Sequence, residues 1–221
     1  MTTADATRTA DLTGIAIAHR MMRTDLHRLV PTAERIADGE ACDRKRAAAL
    51  ATWVEKLCEE IHHHHTAEDD IAWPVIARHA GQAVDLSELS DDHAALDPLL
   101  DGLRTTAKAL RGATDLGRAD VALSLARRLA ALRDEIDEHL DAEETDLFPI
   151  IERYVPAEEW DTVIAGVQKG GPGLRFMLPR VLAVVTDEEH AVLSKEGGPV
   201  LVALAWLLRP GHRRRERLVF G

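Results

Sequence analysis

The residues best suited to chemistry lie in a histidine-rich stretch, residues 62–74, which reads HHHHTAEDDIAWP. Within this stretch His64 and Glu68 are four residues apart. On an α-helix that spacing places both side chains on one face, about one turn apart. An imidazole and a carboxylate in this arrangement can bind the same metal ion, so the stretch predicts a metal site carried on a helix.

The same pattern occurs a second time in residues 139–149, which read HLDAEETDLFP. His139 follows His64 by the same number of sequence positions as Glu143 follows Glu68. The two aromatic-proline pairs, one after each glutamate, are separated by that same number. We call this separation the repeat spacing. A single match of this kind would mean little, whereas three matches in one register indicate an internal duplication.

Long helices must position these residues. Apolar side chains recur every three or four residues on both sides of each motif, as expected for helices with one buried face. Pro31, Pro74 and Pro149 are expected to kink or interrupt these helices because proline has no amide hydrogen to donate. The four predicted helices cover about residues 12–38, 43–79, 87–110 and 118–154.

Each predicted helix contributes one histidine to the duplicated pattern. On the first and third helices, His19 and His93 are separated by one position less than the repeat spacing, and His27 is an alternative to His19 on nearly the same face. In an up-down-up-down four-helix bundle such side chains converge in the core. The predicted metal ligands are His19, His64, Glu68, His93, His139 and Glu143, and no side chain is predicted to act as a catalytic nucleophile.

A buried cluster of this composition needs a metal ion, because imidazoles and carboxylates without a cation would lose several kcal/mol each on leaving water. Mixed imidazole and carboxylate ligands suit iron or manganese, whereas closed zinc sites prefer thiolates. Six side chains exceed what one ion that also binds a substrate can use. If both carboxylates are shared, each of two ions keeps about one open position for a small molecule.

The bulk composition narrows the function classes further. Of 221 residues, 46% are hydrophobic, which is ordinary for a globular protein, while only 4% are aromatic and Ala, Leu, Arg, Glu and Asp dominate, a composition that favours helices. The net charge of −11 argues against general nucleic-acid binding, which requires a basic face. The longest apolar run, residues 200–208, is shorter than the roughly 20 residues that span a membrane, and no signal-peptide pattern opens the chain. We therefore expect a soluble cytoplasmic protein that binds neither nucleic acid nor membranes.

The order of motifs, one histidine, HxxxE, one histidine and HxxxE again, resembles the hemerythrin-like HHE cation-binding family over about residues 12–155. The resemblance is to members of the actinobacterial type, which carry a C-terminal helical appendage. It implies an all-α fold, an up-down-up-down four-helix bundle followed by short helices. It also implies two iron ions with a bridging oxide or hydroxide, or manganese in their place, that meet oxygen, hydrogen peroxide or nitric oxide.

Two positions depart from the oxygen-carrying members of this family. Those members have a second histidine four residues after the third-helix histidine, where this chain has Asp97. They also place the last carboxylate five residues after its histidine, which would select Glu144 and not Glu143. Instead of reversible oxygen carriage we expect reaction with peroxide or oxygen, such as catalase-like disproportionation of peroxide. The alternative is a non-enzymatic sensor of oxygen, nitric oxide or iron, or an iron-binding module.

Neighbours of the candidate ligands are expected to play other roles. Some acidic residues are expected to orient the ligand histidines through their outer ring nitrogens, namely Asp69, Asp97 and Glu144. The remaining histidines of the first stretch face other sides of the helix and are expected to be solvated or to lie outside the ligand set, namely His62, His63 and His65.

We expect the chain to have three parts. Residues 1–11 form a disordered lead-in, residues 12–155 form the bundle, and residues 156–221 form a helical appendage. Within the appendage, glycines and prolines separate three short predicted helices. These helices cover about residues 156–169, 174–185 and 199–208.

Overall fold

The computed structural model describes residues 8–221, apart from the side chain of Glu196, and within that range it contains helices and no β-strand. The predicted all-α four-helix bundle with additional C-terminal helices is confirmed. The bundle consists of α1 (Thr13–Ala37), α2 (Arg44–Ala67), α3 (Trp73–Ala80), α4 (Ser87–Gly112), α5 (Arg118–Ala142) and α6 (Phe148–Tyr154).

Helix α2 shows why the sequence folds in this way. Asp43 caps its first turn by accepting a hydrogen bond of 2.7 Å from the backbone N–H of Arg46. Leu50, Val54 and Ile61 then recur on one face and are completely buried. Burial of one such side chain contributes roughly 1.5–3 kcal/mol to folding, so this face fixes the helix against the core.

The helix backbone widens at both ligand motifs. A π-helical turn covers Glu68–Ala72 between α2 and α3, and a second covers Glu143–Leu147 between α5 and α6. Each turn begins at a candidate ligand glutamate and ends shortly before a proline, which cannot supply the next backbone hydrogen bond. Kinks were predicted at Pro74 and Pro149, and the structure has these π-turns just before them.

Pro31 has a different effect from the other two prolines. It was also expected to kink or interrupt its helix, yet it lies within α1, which is one continuous helix from Thr13 to Ala37.

The four long helices do not pack equally. Helix α1 packs mainly against α5, α2 packs against α4, and α4 packs against α5, whereas α1 and α2 make little direct contact. The seam between α1 and α2 is filled by the appendage, which consists of α7 (Ala157–Val167), α8 (Leu174–Val184) and α9 (Asp187–Phe220).

The last helix is longer than predicted. The prediction was a short helix over 199–208, whereas α9 begins at Asp187, where Thr186 and Glu189 form a capping box. Gly198 adopts φ 60° inside it, so two helical segments meet at a bend there. No single helix among residues 8–221 is long and apolar enough to cross a membrane. Only the two bent segments Asp187–Lys195 and Gly197–Phe220, at 115° to each other, reach that length and composition when taken together.

A buried ion cluster joins the appendage to the bundle. Arg180 on α8 contacts Asp25 on α1 at 2.9 Å and Glu60 on α2 at 2.5 Å, and all three side chains are buried. The indole N–H of Trp53 donates a further hydrogen bond of 2.6 Å to Asp25. Two buried carboxylates therefore share one guanidinium, and that guanidinium comes from the appendage.

The N-terminal segment falls partly outside the described residues. Most of the predicted disordered lead-in, residues 1–7, lies outside them. In the remaining part Ala10 is buried, and the carbonyl of Asp11 accepts a hydrogen bond of 3.0 Å from the indole of Trp160 on α7. The expected boundary between bundle and appendage, at residues 155 and 156, falls between α6 and α7.

Candidate metal centre

The structure brings all six predicted ligands together in the core of the bundle, and all of them are buried. Helices α1, α2, α4 and α5 each contribute one imidazole, and the two π-turns each contribute one carboxylate at their first residue. These side chains are His19, His64, Glu68, His93, His139 and Glu143.

Glu68 lies between imidazoles that come from the two halves of the chain. Its Oε1 is 3.1 Å from Nε2 of His64, and its Oε2 is 3.7 Å from Nε2 of His93. One carboxylate therefore faces one histidine of the first half and one of the second half.

Glu143 occupies the equivalent place on the opposite side. Its Oε2 is 3.4 Å from Nε2 of His19, and its Oε1 is 3.4 Å from Nε2 of His139. The two carboxylates thus lie between two pairs of imidazoles, with His19 and His64 in one pair and His93 and His139 in the other. Nε2 of His93 is 3.1 Å from Nε2 of His139.

Neither carboxylate has an ordinary partner. Among the described residues no hydrogen bond reaches any oxygen of Glu68 or Glu143, and no lysine or arginine forms an ion pair with them. Burial raises the pKa of Glu68 to about 8 because the desolvated carboxylate is disfavoured. A bound cation would offset that cost, so this donor set fits a metal ion.

Three of the four imidazoles are prepared to act as metal ligands, whereas the pKa of His139 is raised because burial, which lowers it, is outweighed by the contact with Glu143. Burial lowers the pKa of His19 and His93, and it lowers the pKa of His64 to about 4. These rings are therefore neutral at physiological pH, and a neutral imidazole keeps a nitrogen lone pair for a metal.

Two acidic residues lie beside the Nδ1 atoms of two candidate ligand histidines, on the side of each ring away from the centre. Nδ1 of His19 lies 2.9 Å from Oε1 of Glu144, and Nδ1 of His93 lies 3.0 Å from Oδ2 of Asp69. A carboxylate beside Nδ1 favours the tautomer that carries the proton on that nitrogen, which leaves Nε2 as the lone-pair nitrogen that faces the centre. Asp69 and Glu144 are themselves separated by the repeat spacing, so the duplication extends to these outer partners.

The structure also distinguishes the alternatives that the sequence left open. Glu143 is completely buried in the cluster, whereas the side chain of Glu144 is 34% exposed and contacts His19 from outside. His27 is more than half exposed and pairs with Asp137, so it is not part of the cluster. Asp97 does not orient a ligand histidine, because its carboxylate lies 3.3 Å from Nδ1 of His62 at the surface.

One residue of the cluster was missed by the sequence interpretation. His65 was expected either to be solvated or to lie outside the ligand set; the structure excludes the first of these, because His65 is buried and its ring stacks on that of His93 with centroids 4.4 Å apart. Its Nε2 has no hydrogen-bond partner among the described residues. The equivalent position in the second copy holds Leu140, so the duplication gave no signal. The only signal was that His65 precedes Glu68 by three positions, which also places the two on one helix face.

The candidate ligand atoms form two overlapping groups of four. Within each group, one donor atom from every residue lies within 4.8 Å of the others. One group is His19, His64, Glu68 and Glu143, and the other is His65, Glu68, His93 and His139. Glu68 belongs to both groups, whereas Glu143 belongs only to the first.

Comparisons with known proteins agree with this geometry. A family model described as the hemerythrin HHE cation binding domain matches residues 13–151, which run from α1 into α6. No curated protein and no solved structure gave a match.

Proposed function

Because the chain belongs to the hemerythrin HHE cation-binding family and carries a buried cluster of histidines and glutamates, it is a metal-binding protein, and we propose that it binds two iron ions. Manganese is the alternative metal. The two ions would share the carboxylates and a bridging oxide or hydroxide. The proposed protein ligands are His19, His64, Glu68, His93, His139 and Glu143.

One observation carries this proposal: each buried carboxylate lies between an imidazole of one pair and an imidazole of the other. A single ion would not need two pairs of imidazoles on opposite sides of two carboxylates. Two ions would each take two imidazoles and one oxygen from each glutamate, which leaves room for a small molecule.

When bound, an iron pair supplies two-electron redox chemistry with hydrogen peroxide or oxygen, and we propose catalase-like disproportionation of peroxide as the reaction. The chain's own residues orient the ligands and limit the access of water. Trp73 stacks on His93 with ring centroids 5.8 Å apart, and Phe148 lies over His19 at 5.7 Å. These aromatic residues are equivalent in the repeat, so both halves cover a ligand imidazole in the same way.

A second candidate function is a sensor of oxygen, nitric oxide or iron, and a specific contact favours it. Arg20, which follows the candidate ligand His19, donates hydrogen bonds of 2.7 and 3.0 Å to Glu189 and of 3.0 Å to the carbonyl of Val184. Both partners belong to the end of α8 and the start of α9. A movement of His19 at the centre would therefore be transmitted to the appendage through Arg20.

Metal analysis and an oxygen electrode test these proposals. We expect freshly purified protein to contain about two irons per chain and to release one O₂ for every two H₂O₂ consumed. The matched control is the same protein after its metal has been removed, which should release none. Protein without iron or manganese would contradict both functions. An optical change on addition of peroxide without release of oxygen would favour the sensor over the enzyme.

A further inference from the structure

The two halves of the duplicated bundle differ in what covers the same groove. In the first half this groove lies between α1 and α2, next to His64. Ile71 there packs against Gly166 at the end of α7, and the ring of His63 lies against the backbone of Gly170 and Gly171. Trp160 of α7 packs in the same apolar cluster as the residues that flank this groove, so the appendage closes this side of the centre.

The equivalent groove of the second half is open and acidic. The positions that match His63 and Ile71 hold Glu138 and Asp146, and neither is covered by the appendage. The groove between α4 and α5 has a volume of about 810 Å³. Its charged lining residues are all acidic, and we call it the acidic groove: Asp85, Glu88, Asp92, Glu135, Glu138 and Asp146.

These carboxylates are not neutralised by the protein. Within residues 8–221 no lysine or arginine forms an ion pair with Glu88, Asp92, Glu135, Glu138 or Asp146. A groove lined by one sign of charge between low-dielectric walls raises the local concentration of counter-ions. Carboxylate oxygens are also suitable ligands for a divalent cation.

The floor of the acidic groove is a ligand of the metal centre. His139 lines the groove although its side chain is only 3% exposed. Its Nδ1 has no hydrogen-bond partner among the described residues and lies 3.7 Å from Oδ2 of Asp92, which also lines the groove. Its Nε2 lies 3.4 Å from Glu143. One imidazole ring therefore separates the groove from the centre.

The geometry points to the acidic groove as a site that collects ferrous iron and passes it to the buried centre past His139. This inference rests on the proposed function, because it requires a centre that takes up iron. The charge of the groove attracts a divalent cation and disfavours anions, whereas neutral peroxide and oxygen are little affected. The covered groove of the first half offers no equivalent path, since His63 and Ile71 are packed against the appendage.

The rate of iron uptake tests the inference. Metal-free protein is mixed with ferrous iron without oxygen at low salt, and binding is followed by absorbance in a stopped-flow instrument. The groove variant combines Glu135→Gln, Glu138→Gln and Asp146→Asn. We expect it to take up iron about tenfold more slowly than the natural chain and to reach the same final iron content, because the ligands are unchanged.

A matched control removes the same amount of charge at the opposite end of the bundle. Glu34→Gln, Asp38→Asn and Asp120→Asn change residues near the end of α1 and the start of α5. This variant should take up iron within about twofold of the natural rate, and added salt should slow the natural chain toward the groove variant.

Each outcome is decisive. Equal rates for the groove variant and the control variant would overturn the inference and leave the di-iron function intact. An uptake rate of the natural chain that does not change with salt would do the same. Failure of all three proteins to bind iron, with circular dichroism showing folded helices, would contradict the proposed function itself.

Discussion

The two halves of this bundle carry the same chemistry in different surroundings. Each half supplies two imidazoles and one carboxylate, an acidic residue that holds a histidine of the other half, and an aromatic ring over a ligand. The first half is covered by α7, α8 and α9, whereas the second half faces solvent through the acidic groove. The donor set is therefore duplicated, whereas the groove beside it is open in the second half and covered in the first.

One pair of equivalent residues shows how the halves diverged. Glu60 on α2 is buried and contacts Arg180, which the appendage supplies. Glu135, its equivalent on α5, is exposed and lines the acidic groove. A glutamate at the same position is thus a buried ion-pair partner in one half and a solvated charge in the other. The appendage and not the repeat decides which of these it becomes.

The largest expected effect tests what the halves share. Glu68→Ala and Glu143→Ala should each remove most of the metal, because each carboxylate lies between imidazoles of both pairs. His63→Ala, which changes a partly buried imidazole outside the cluster, should keep the metal. Metal content measured by elemental analysis checks this, and metal loss that is equal in all three variants would show that the ligand register is wrong.

The next effect tests the covered half. Arg180→Met leaves Asp25 and Glu60 buried without a cation and should lower the free energy of unfolding by about 3–5 kcal/mol. Arg175→Met is the control, since Arg175 lies on the same helix but is exposed. Urea unfolding gives both values. If the two variants were equally stable, the ion cluster would not be what holds the appendage to the bundle.

A pH-dependent effect follows from the same cluster. Burial raises the pKa of Glu60 from 4.5 to about 7, with Arg180 opposing only part of the rise. The folded chain then keeps a proton that the unfolded chain loses, so the free energy of unfolding falls as pH rises from about 4.5 to about 7. The shift corresponds to a loss of up to about 3 kcal/mol.

Glu60→Gln should remove this part of the pH dependence, while Glu135→Gln, at the equivalent exposed position, should leave it unchanged. Unfolding of the three proteins in urea at about pH 5 and about pH 8 measures the difference, and the contribution of the metal centre cancels in the comparison. A natural chain and a Glu60→Gln variant that lose equal stability over this range would show that Glu60 is ionised throughout.

The smallest expected effect tests an asymmetry between the halves at the centre. His65 of the first half lies against His93 of the second half, and the position equivalent to His65 holds Leu140. His65→Leu makes the halves alike and should weaken metal binding about tenfold, as expected for the loss of a residue that supports a ligand. His63→Leu serves as control. Equilibrium competition with a chelator measures both affinities; an unchanged affinity in His65→Leu would assign His65 a packing role only.

Much of this arrangement could be predicted from the sequence because two independent periodicities agree. The helical period placed the apolar faces of α1, α2, α4 and α5, and the repeat spacing selected His64 among four adjacent histidines. The selection depended on a second copy of each motif. It therefore failed for His65, whose counterpart is a leucine.

Other features depend on tertiary contacts that no local pattern carries. Pro74 and Pro149 indicated a disturbance of the helix, but proline alone does not specify whether the backbone kinks or widens into a π-turn, as it does here. Which residues Arg180 contacts depends on where α8 lies against α1 and α2. Since α9 crosses several glycines and prolines, its length could not be predicted from helix propensity alone.

The two π-turns also bear on the history of the chain. A π-turn is one residue inserted into an α-helix, and here both insertions begin at the same glutamate of the repeat. Their shared position implies that the insertion was already present when the coding sequence doubled. One half alone offers only two imidazoles and one carboxylate of the buried cluster. Two copies of such a half, side by side, would be needed to supply the donor set that the present chain holds in one bundle.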